Sequence, residues 1–282
     1  MRPVESSAHL DALLGDAKAR LCQGTPVSHC YLLADEVARL CALGVLRFEN
    51  YDFGLLLFQF RGRDVRLMAV CDPDITMDAS AFAGFDRPVR CEFPSHRGRF
   101  APGAERLISL IRQTGFLPEA TAHRLVFSPT IAQREAILAH SHPALKIGKA
   151  DVRQAGEILS LWEETFDPVA NGVPTMDELV PLLERGCVLR AITADGRLAG
   201  ALLAEIETPV AWVWHVATVT SLRGQGVGRA MMTAYHRAGL DAGVKTFRLW
   251  VSDKDVGAAS FHEKLGYNPD GRASESYILT DL

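Results

Sequence analysis

The chain has no run of about 18 apolar residues, so no segment reads as a membrane-spanning helix. Met1 to Arg20 alternates charged with apolar residues as a soluble helix does, and a cytoplasmic protein without membrane contact is the expectation. It carries no excess of positive charge: 30 Lys and Arg against 34 Asp and Glu leave a formal charge of -4, which gives no general attraction to nucleic acid. It also has no C-x-x-C pair. Cys22, Cys30, Cys41, Cys71, Cys91 and Cys187 sit mostly in apolar contexts, as reduced core cysteines do, and a disulfide framework is not expected. His140-Ser141-His142 offers two ligands but no nearby cysteine or acidic cluster to complete a tetrahedral site, so no metal is expected. Two phosphate-binding strings are missing as well. There is no G-x-x-x-x-G-K-[ST], and the spacing G-x-G-x-x-G counted from Gly224 would place its last glycine on Arg229.

What is present is glycine in one particular place. Arg223-Gly224-Gln225-Gly226-Val227-Gly228-Arg229 follows an apolar run, Ala211 to Val219, and precedes Val227, Met231, Ala234, Tyr235 and Ala238 at helical spacing. The segment reads as strand, glycine turn and helix. The first turn of a helix leaves backbone N–H groups unpaired at the positive end of its dipole, and glycines without Cβ let an anion approach them. The expected guest is a phosphate, unless the turn is only a tight connection.

The spacing R-x-x-G-x-G, as Arg223, Gly226 and Gly228, resembles that of the GNAT acetyltransferase superfamily. Three further stretches carry the resemblance. Val216 to Leu222 takes the place of the family's fourth strand; Thr246 to Val251 reads as a short buried strand; and Asp255, Ala258, His262, Gly266 and Tyr267 follow the family ending N-x-x-A-x-x-x-Y-x-x-x-G-F. The resemblance spans about Lys146 to Leu282. Its other elements are in order too: a strand at Lys146 to Lys149, helices at Asp151 to Phe166 and Met176 to Arg185, then antiparallel strands at Cys187 to Thr193, Arg197 to Glu207 and Ala211 to Val219.

The resemblance implies acetyl-CoA as cosubstrate. It places coenzyme A on Ala217, Thr218, Val219, Arg223, Gly224, Gln225, Gly226, Val227, Gly228 and Arg229, with Asp255 and Ala258 beyond, and a strand-end N–H near Thr218 or Val219 against the thioester oxygen. It implies an N-acetyltransferase acting on a primary amine of a small molecule or peptide by direct attack. His262 stands where the family often has the tyrosine that protonates the coenzyme sulfur; packing at the edge of the helix's apolar face is its other reading. Glu205 and Glu207 share one face of a strand and His215 lies on the next, so Glu205 and His215 are candidate bases, with a solvated face or core packing as the alternatives. A non-catalytic acyl-CoA sensor, which would keep the loop and discard the acid, is the alternative function. A dinucleotide-binding module is the other, opposed by Arg229. A homodimer is compatible with the sequence.

At 282 residues and 48% hydrophobic content, the chain is large enough for two cores. Pro88 to Phe127 repeats the plan of Thr246 to Leu279: strand, turn, helix, Gly-aromatic, Pro, strand, with Gly115-Phe116 over Gly266-Tyr267. The expected fold class is therefore α/β with mixed sheets: a GNAT domain at 146–282 preceded by a degenerate GNAT-like or accessory domain at 1–140. No R-x-x-G-x-G occurs in the first domain, and Ile111 matches His262, so it is expected to bind no coenzyme and to pack or shape the acceptor cleft.

Overall fold

The computed structural model describes residues 1–21, 27–28, 32, 34–72, 77, 79–82, 84–139 and 144–280. Cys22, Cys30 and the His140-Ser141-His142 string lie outside the described residues. The chain divides into two compact units, Met1–Ala122 with Arg272–Leu282, and His123–Gly271. Compared with a boundary at 140–146, the first unit ends earlier and takes up the C-terminal segment.

The first unit contains β1 (Arg2–Pro3), α1 (Ser7–Arg20), β2 (Val27–Ser28), α2 (Ala34–Ala42), β3 (Leu46–Tyr51), β4 (Gly54–Phe60), β5 (Val65–Cys71), β6 (Val89–His96), β7 (Arg99–Phe100), α3 (Ala104–Gln113) and the start of β8 (Leu117–Phe127). β4 and β5 form an antiparallel hairpin around Arg61 to Asp64, closed by Arg61 N–H donating to Asp64 O at 2.9 Å. Its alternating apolar residues feed two cores. Leu56, Phe58, Leu67 and Ala69 face α3, while Leu55, Leu57, Met68 and Val70 face α1 and α2. β5 and β6 are parallel but pair only from Val65–Val89 to Leu67–Cys91; beyond that, β2 lies against β5 through Val27–Cys71 and Ser28–Val70.

The second unit contains the end of β8, α4 (Ile131–Ala139), β9 (Leu145–Lys149), α5 (Ala155–Thr165), α6 (Met176–Glu184), β10 (Val188–Thr193), β11 (Leu198–Ile206), β12 (Val210–Thr218), α7 (Val227–Asp241), β13 (Thr246–Ser252), α8 (Val256–Glu263) and the start of β14 (Asn268–Leu279), whose remainder belongs to the first unit. The expected helices and strands are there within a residue or two, except that the helix expected from Asp151 opens with a 3-10 turn, Val152–Gln154, and α5 starts only at Ala155. β9 to β12 are sequential and antiparallel, and β12 then runs parallel to β13. α5 and α6 cover one face of this sheet through Ile158, Trp162, Leu179 and Leu183, and α7 covers the other through Met231 and Tyr235. α7 buries Val227, Met231, Tyr235 and Gly239 at a strict i, i+4 interval and Met232 and His236 beside them, whereas Ala238, read from the sequence as part of the stripe, is exposed.

The sequence echo corresponds to matching geometry. Gly115 and Gly266 both have positive φ, 98° and 93°, and follow α3 and α8. Phe116 N–H reaches back to Ile111 O at 3.2 Å, and Tyr267 N–H to His262 O at 3.1 Å, so each helix ends in the same six-to-one capping bond with a buried aromatic ring behind it.

Candidate active site

β12 and β13 hydrogen-bond only from Val210–Thr246 to Val213–Leu249, while β12 runs on to Thr218 and β13 to Ser252, so the sheet splits. The β11–β12 ladder fixes which backbone groups face the split. Val219 N–H donates to Ala199 O at 3.0 Å, and antiparallel ladders alternate, so Ala217 also points at β11 while Val216 and Thr218 turn their N–H and C=O groups toward the gap. This corrects part of the sequence reading. Val219 N–H is already bonded, and of the two proposed thioester donors Thr218 carries the one that faces the opening.

After Thr218 the chain makes a single 3-10 turn, Thr220–Leu222, and enters the glycine loop. Gly224 (φ 79°) and Gly226 (φ 85°) sit in the left-handed region that side chains avoid. Gly228 is glycine for a different reason, since a Cβ there would lie 3.2 Å from Phe261 Cζ and 3.5 Å from Thr218 Oγ1. The first α7 bond is Ala230 N–H to Gly226 O at 2.9 Å, which leaves the N–H groups of Val227, Gly228 and Arg229 directed out of the helix end. Arg223 Nε lies 3.4 Å from Thr218 O and Gln225 Nε2 donates to Ser221 O at 3.1 Å, so both side chains brace the loop. These features fit a pyrophosphate: free donors at a dipole's positive end, with no Cβ in the way. Asp255 caps α8, its Oδ1 accepting from Ala258 N–H at 2.8 Å.

The three candidate catalytic side chains are not brought together. His262 is the buried residue of α8, 4% exposed, with its ring edge-on to Tyr267 and Phe261 and its Nδ1 without a hydrogen-bond partner. Burial pushes its imidazole down to about 4, against a smaller opposite pull from Asp255. Beside it His236 Nε2 and Tyr267 Oη are 2.8 Å apart, and burial takes His236 to about 3. His215, 6% exposed, lies on the other face between Trp162 and Phe166. Its Nε2 is 3.1 Å from Asn171 O, a pure acceptor, so Nε2 carries the proton and the unpartnered Nδ1 carries the lone pair. Burial lowers it to about 4 as well. All three imidazoles are neutral at pH 7.

Glu205 is 36% exposed, accepts from Trp214 Nε1 at 3.2 Å and stands 4.0 Å from Arg185. Trp214 itself was not singled out by the sequence. It is the extra residue of a β-bulge: Leu203 pairs with His215 but Ala204 with Val213. The bulge is why His215 and Ala217 point toward α5, although Ala211 and Val213 pack against α7. Trp250, within the run Thr246 to Val251 that reads as a buried strand, is only half-buried and lies on the face opposite Phe247, Leu249 and Val251.

Residues 157–267 match the family model described as the Acetyltransferase (GNAT) family. This segment is a GNAT domain. The GNAT fold extends over the rest of the chain in solved structures. A GCN5-related N-acetyltransferase from Sphaerobacter thermophilus superposes with a TM-score of 0.58 at 13% identity, covering 99% of this chain and 94% of its own. A tandem GNAT protein from the clavulanic acid biosynthesis pathway gives 0.61 at 13%, covering 99% and 97%. A GCN5-related N-acetyltransferase from Kribbella flavida gives 0.53 at 19%, covering 88% and 96%. No curated protein sequence matches the chain. The N-terminal half thus shares the fold expected of a tandem GNAT, and family and fold together support an acyl-CoA-dependent acetyltransferase.

Proposed function

We propose that the protein is an acetyl-CoA-dependent N-acetyltransferase that modifies a primary amine of a small molecule or peptide by direct attack, with its single coenzyme site in the second unit. The observation that carries this reading is the split between β12 and β13, which leaves the Val216 backbone groups and the Thr218 N–H facing the gap beside the free N–H groups of α7. Acetyl-CoA, when bound, supplies the acetyl group as a thioester. The N–H groups of Val227, Gly228 and Arg229 hold its pyrophosphate, Val216 and Thr218 align its arm, and Thr218 N–H stabilises negative charge on the carbonyl oxygen.

Proton handling follows from the buried imidazoles. An ordinary primary amine holds its proton to a pH of about 10.4, some six units above where His215 titrates, so His215 cannot take that proton outright. The amine reacts as the free base. His215, closed in by Trp162 and Phe166, packs beside this path rather than on it, and Glu205 draws the cationic form toward the split. Neutral His262 donates a hydrogen bond to the departing sulfur instead of delivering a proton as an imidazolium, and the proton that nitrogen releases as the C–N bond forms reaches the thiolate through solvent.

Two measurements test this. Coenzyme A should raise the melting temperature of the wild type, and thiol release from acetyl-CoA should depend on an added amine, with kcat/KM rising with pH up to the pKa of that amine. A bell centred between 4 and 7 would contradict free-base attack. His262→Ala should lower kcat at least tenfold with coenzyme affinity within a few fold. A coenzyme-binding sensor is the second reading, favoured by the lack of a charged acid at His262; coenzyme binding without thiol release for any amine would establish it.

A further inference from the structure

Three of the four tryptophans, Trp212, Trp214 and Trp250, lie on the side of the sheet opposite α7, and none of them is fully buried. Trp212 and Trp214 are stacked, with centroids 5.8 Å apart and planes 14° from parallel, and Arg248 lies over the Trp212 ring at 5.7 Å. Trp214 is 48% exposed, which is unusual for so large an apolar side chain in the middle of a strand. Trp250 shares this face, because Phe247, Leu249 and Val251 point into the opposite core. The last paired residues of β12 and β13 are Val213 and Leu249, so Trp214 and Trp250 are the first residues beyond the fork, one on each diverging strand. Glu205 places a carboxylate at the Trp214 indole N–H.

We propose that Trp214 and Trp250 flank the entry for the acceptor, and that the acceptor is a primary amine carried on a flat aromatic ring. The inference rests on the acetyltransferase reading of this split. The guanidinium of Arg248 and the indoles of Trp212 and Trp214 form a stack of flat groups, and the outer indole face offers the next position to another flat group. An ammonium on a short tether from that ring meets aromatic faces and the Glu205 carboxylate, which attract a cation. Its nitrogen then lies next to the gap into which Val216 and Thr218 turn their backbone groups. Glu205 acts as a positioning residue through its bond to Trp214.

Tryptophan fluorescence of the full chain reads binding without turnover. Titration with 2-phenylethylamine should quench emission to saturation, and 1,4-diaminobutane and glucosamine should bind at least tenfold more weakly. Trp214→Ala should weaken 2-phenylethylamine at least tenfold and Trp214→Phe by no more than threefold, with the coenzyme A thermal shift unchanged in both. Trp250→Ala should weaken it less than Trp214→Ala. Equal or tighter binding of 1,4-diaminobutane, a preference for glucosamine, or unaltered affinity in both alanine variants would overturn the proposal. Saturable amine binding in a wild type that coenzyme A does not stabilise would instead refute the acetyltransferase reading and leave the aromatic site standing.

Discussion

Both units split a pair of parallel strands, and they treat the split in opposite ways. In the second unit β12 parts from β13 after Val213, and the freed edge at Val216 and Thr218 stays open. In the first, β5 parts from β6 after Leu67, and β2 occupies the freed edge at Val70 and Cys71. The crossovers differ in the same sense. A 15-residue helix links β12 to β13 and begins in the glycine loop, whereas among the described residues the β5–β6 connection holds only the four-residue 3-10 turn Ala79–Phe82. Yet the ends of the two units, α3 with β8 and α8 with β14, share one capping geometry. The two units therefore share the end of the scaffold and differ at the crossover and the freed edge, where the proposed coenzyme site lies. Among the described residues, the first unit's crossover offers no α-helix N-terminus, and its freed edge is already paired.

Acid should separate the units most strongly. His215, His236 and His262, all in the second unit, are held neutral by burial, with folded values near 4, 3 and 4. Unfolded histidine titrates near 6.5, so nothing is lost above that pH, and stability falls as the pH drops from 6.5 toward the folded values. At pH 5.5 the three together should cost about 4 kcal/mol. Urea unfolding at pH 7.5 and 5.5, followed by hydrogen exchange in each unit, checks this, and equal losses in both units would break the contrast.

Asp64 gives the converse. Its buried carboxylate meets Arg61 and Arg90 in the first unit, and Arg90 also reaches Glu92 and Glu119. Asp64→Ala should destabilise the protein by about 3 kcal/mol, because it removes the buried carboxylate that Arg61 and Arg90 share and leaves Arg90 to Glu92 and Glu119. Coenzyme affinity measured by calorimetry should stay the same. Next in size, coenzyme A at a hundredfold excess over its Kd should add about 2.7 kcal/mol, with a stoichiometry of one. Gly228→Phe should abolish that gain by pushing against Phe261 and Thr218; two sites per chain would show that the first unit binds as well. The smallest effect is expected from Asp255→Ala, about 1 kcal/mol in unfolding measurements through loss of the α8 cap.

The second unit was legible in the sequence because its signals are local. A glycine loop between an apolar run and a helical stripe, and a cap three residues before Ala258, can be read without knowing what they touch. What escaped depends on pairing between distant strands. The phase of the ladder decides that Thr218 rather than Val219 faces the split, and a single bulge decides that Trp214 is turned out and His215 turned in. Trp250 in the run TFRLWV looks like core until Phe247 and Leu249 are known to fill the other face. The charge of the histidines was hidden for the same reason, since depth of burial is a property of the whole packing. In the first unit the echo of Gly115-Phe116 was visible, but the strand that fills its split lies far away in sequence.

The exchange of chain between the units has a consequence for synthesis. Leu279 pairs with Val89 and Arg272 with His96, so the strand that completes the first unit's sheet is made only after the entire second unit. On the ribosome, the edge of β6 at Val89 to His96 waits unpaired while the glycine loop and α7 emerge. An unpaired strand edge is a template for self-association, and long-range pairing is slow to close. The second unit can therefore mature first, and the first unit reaches its native form last although it leads the chain.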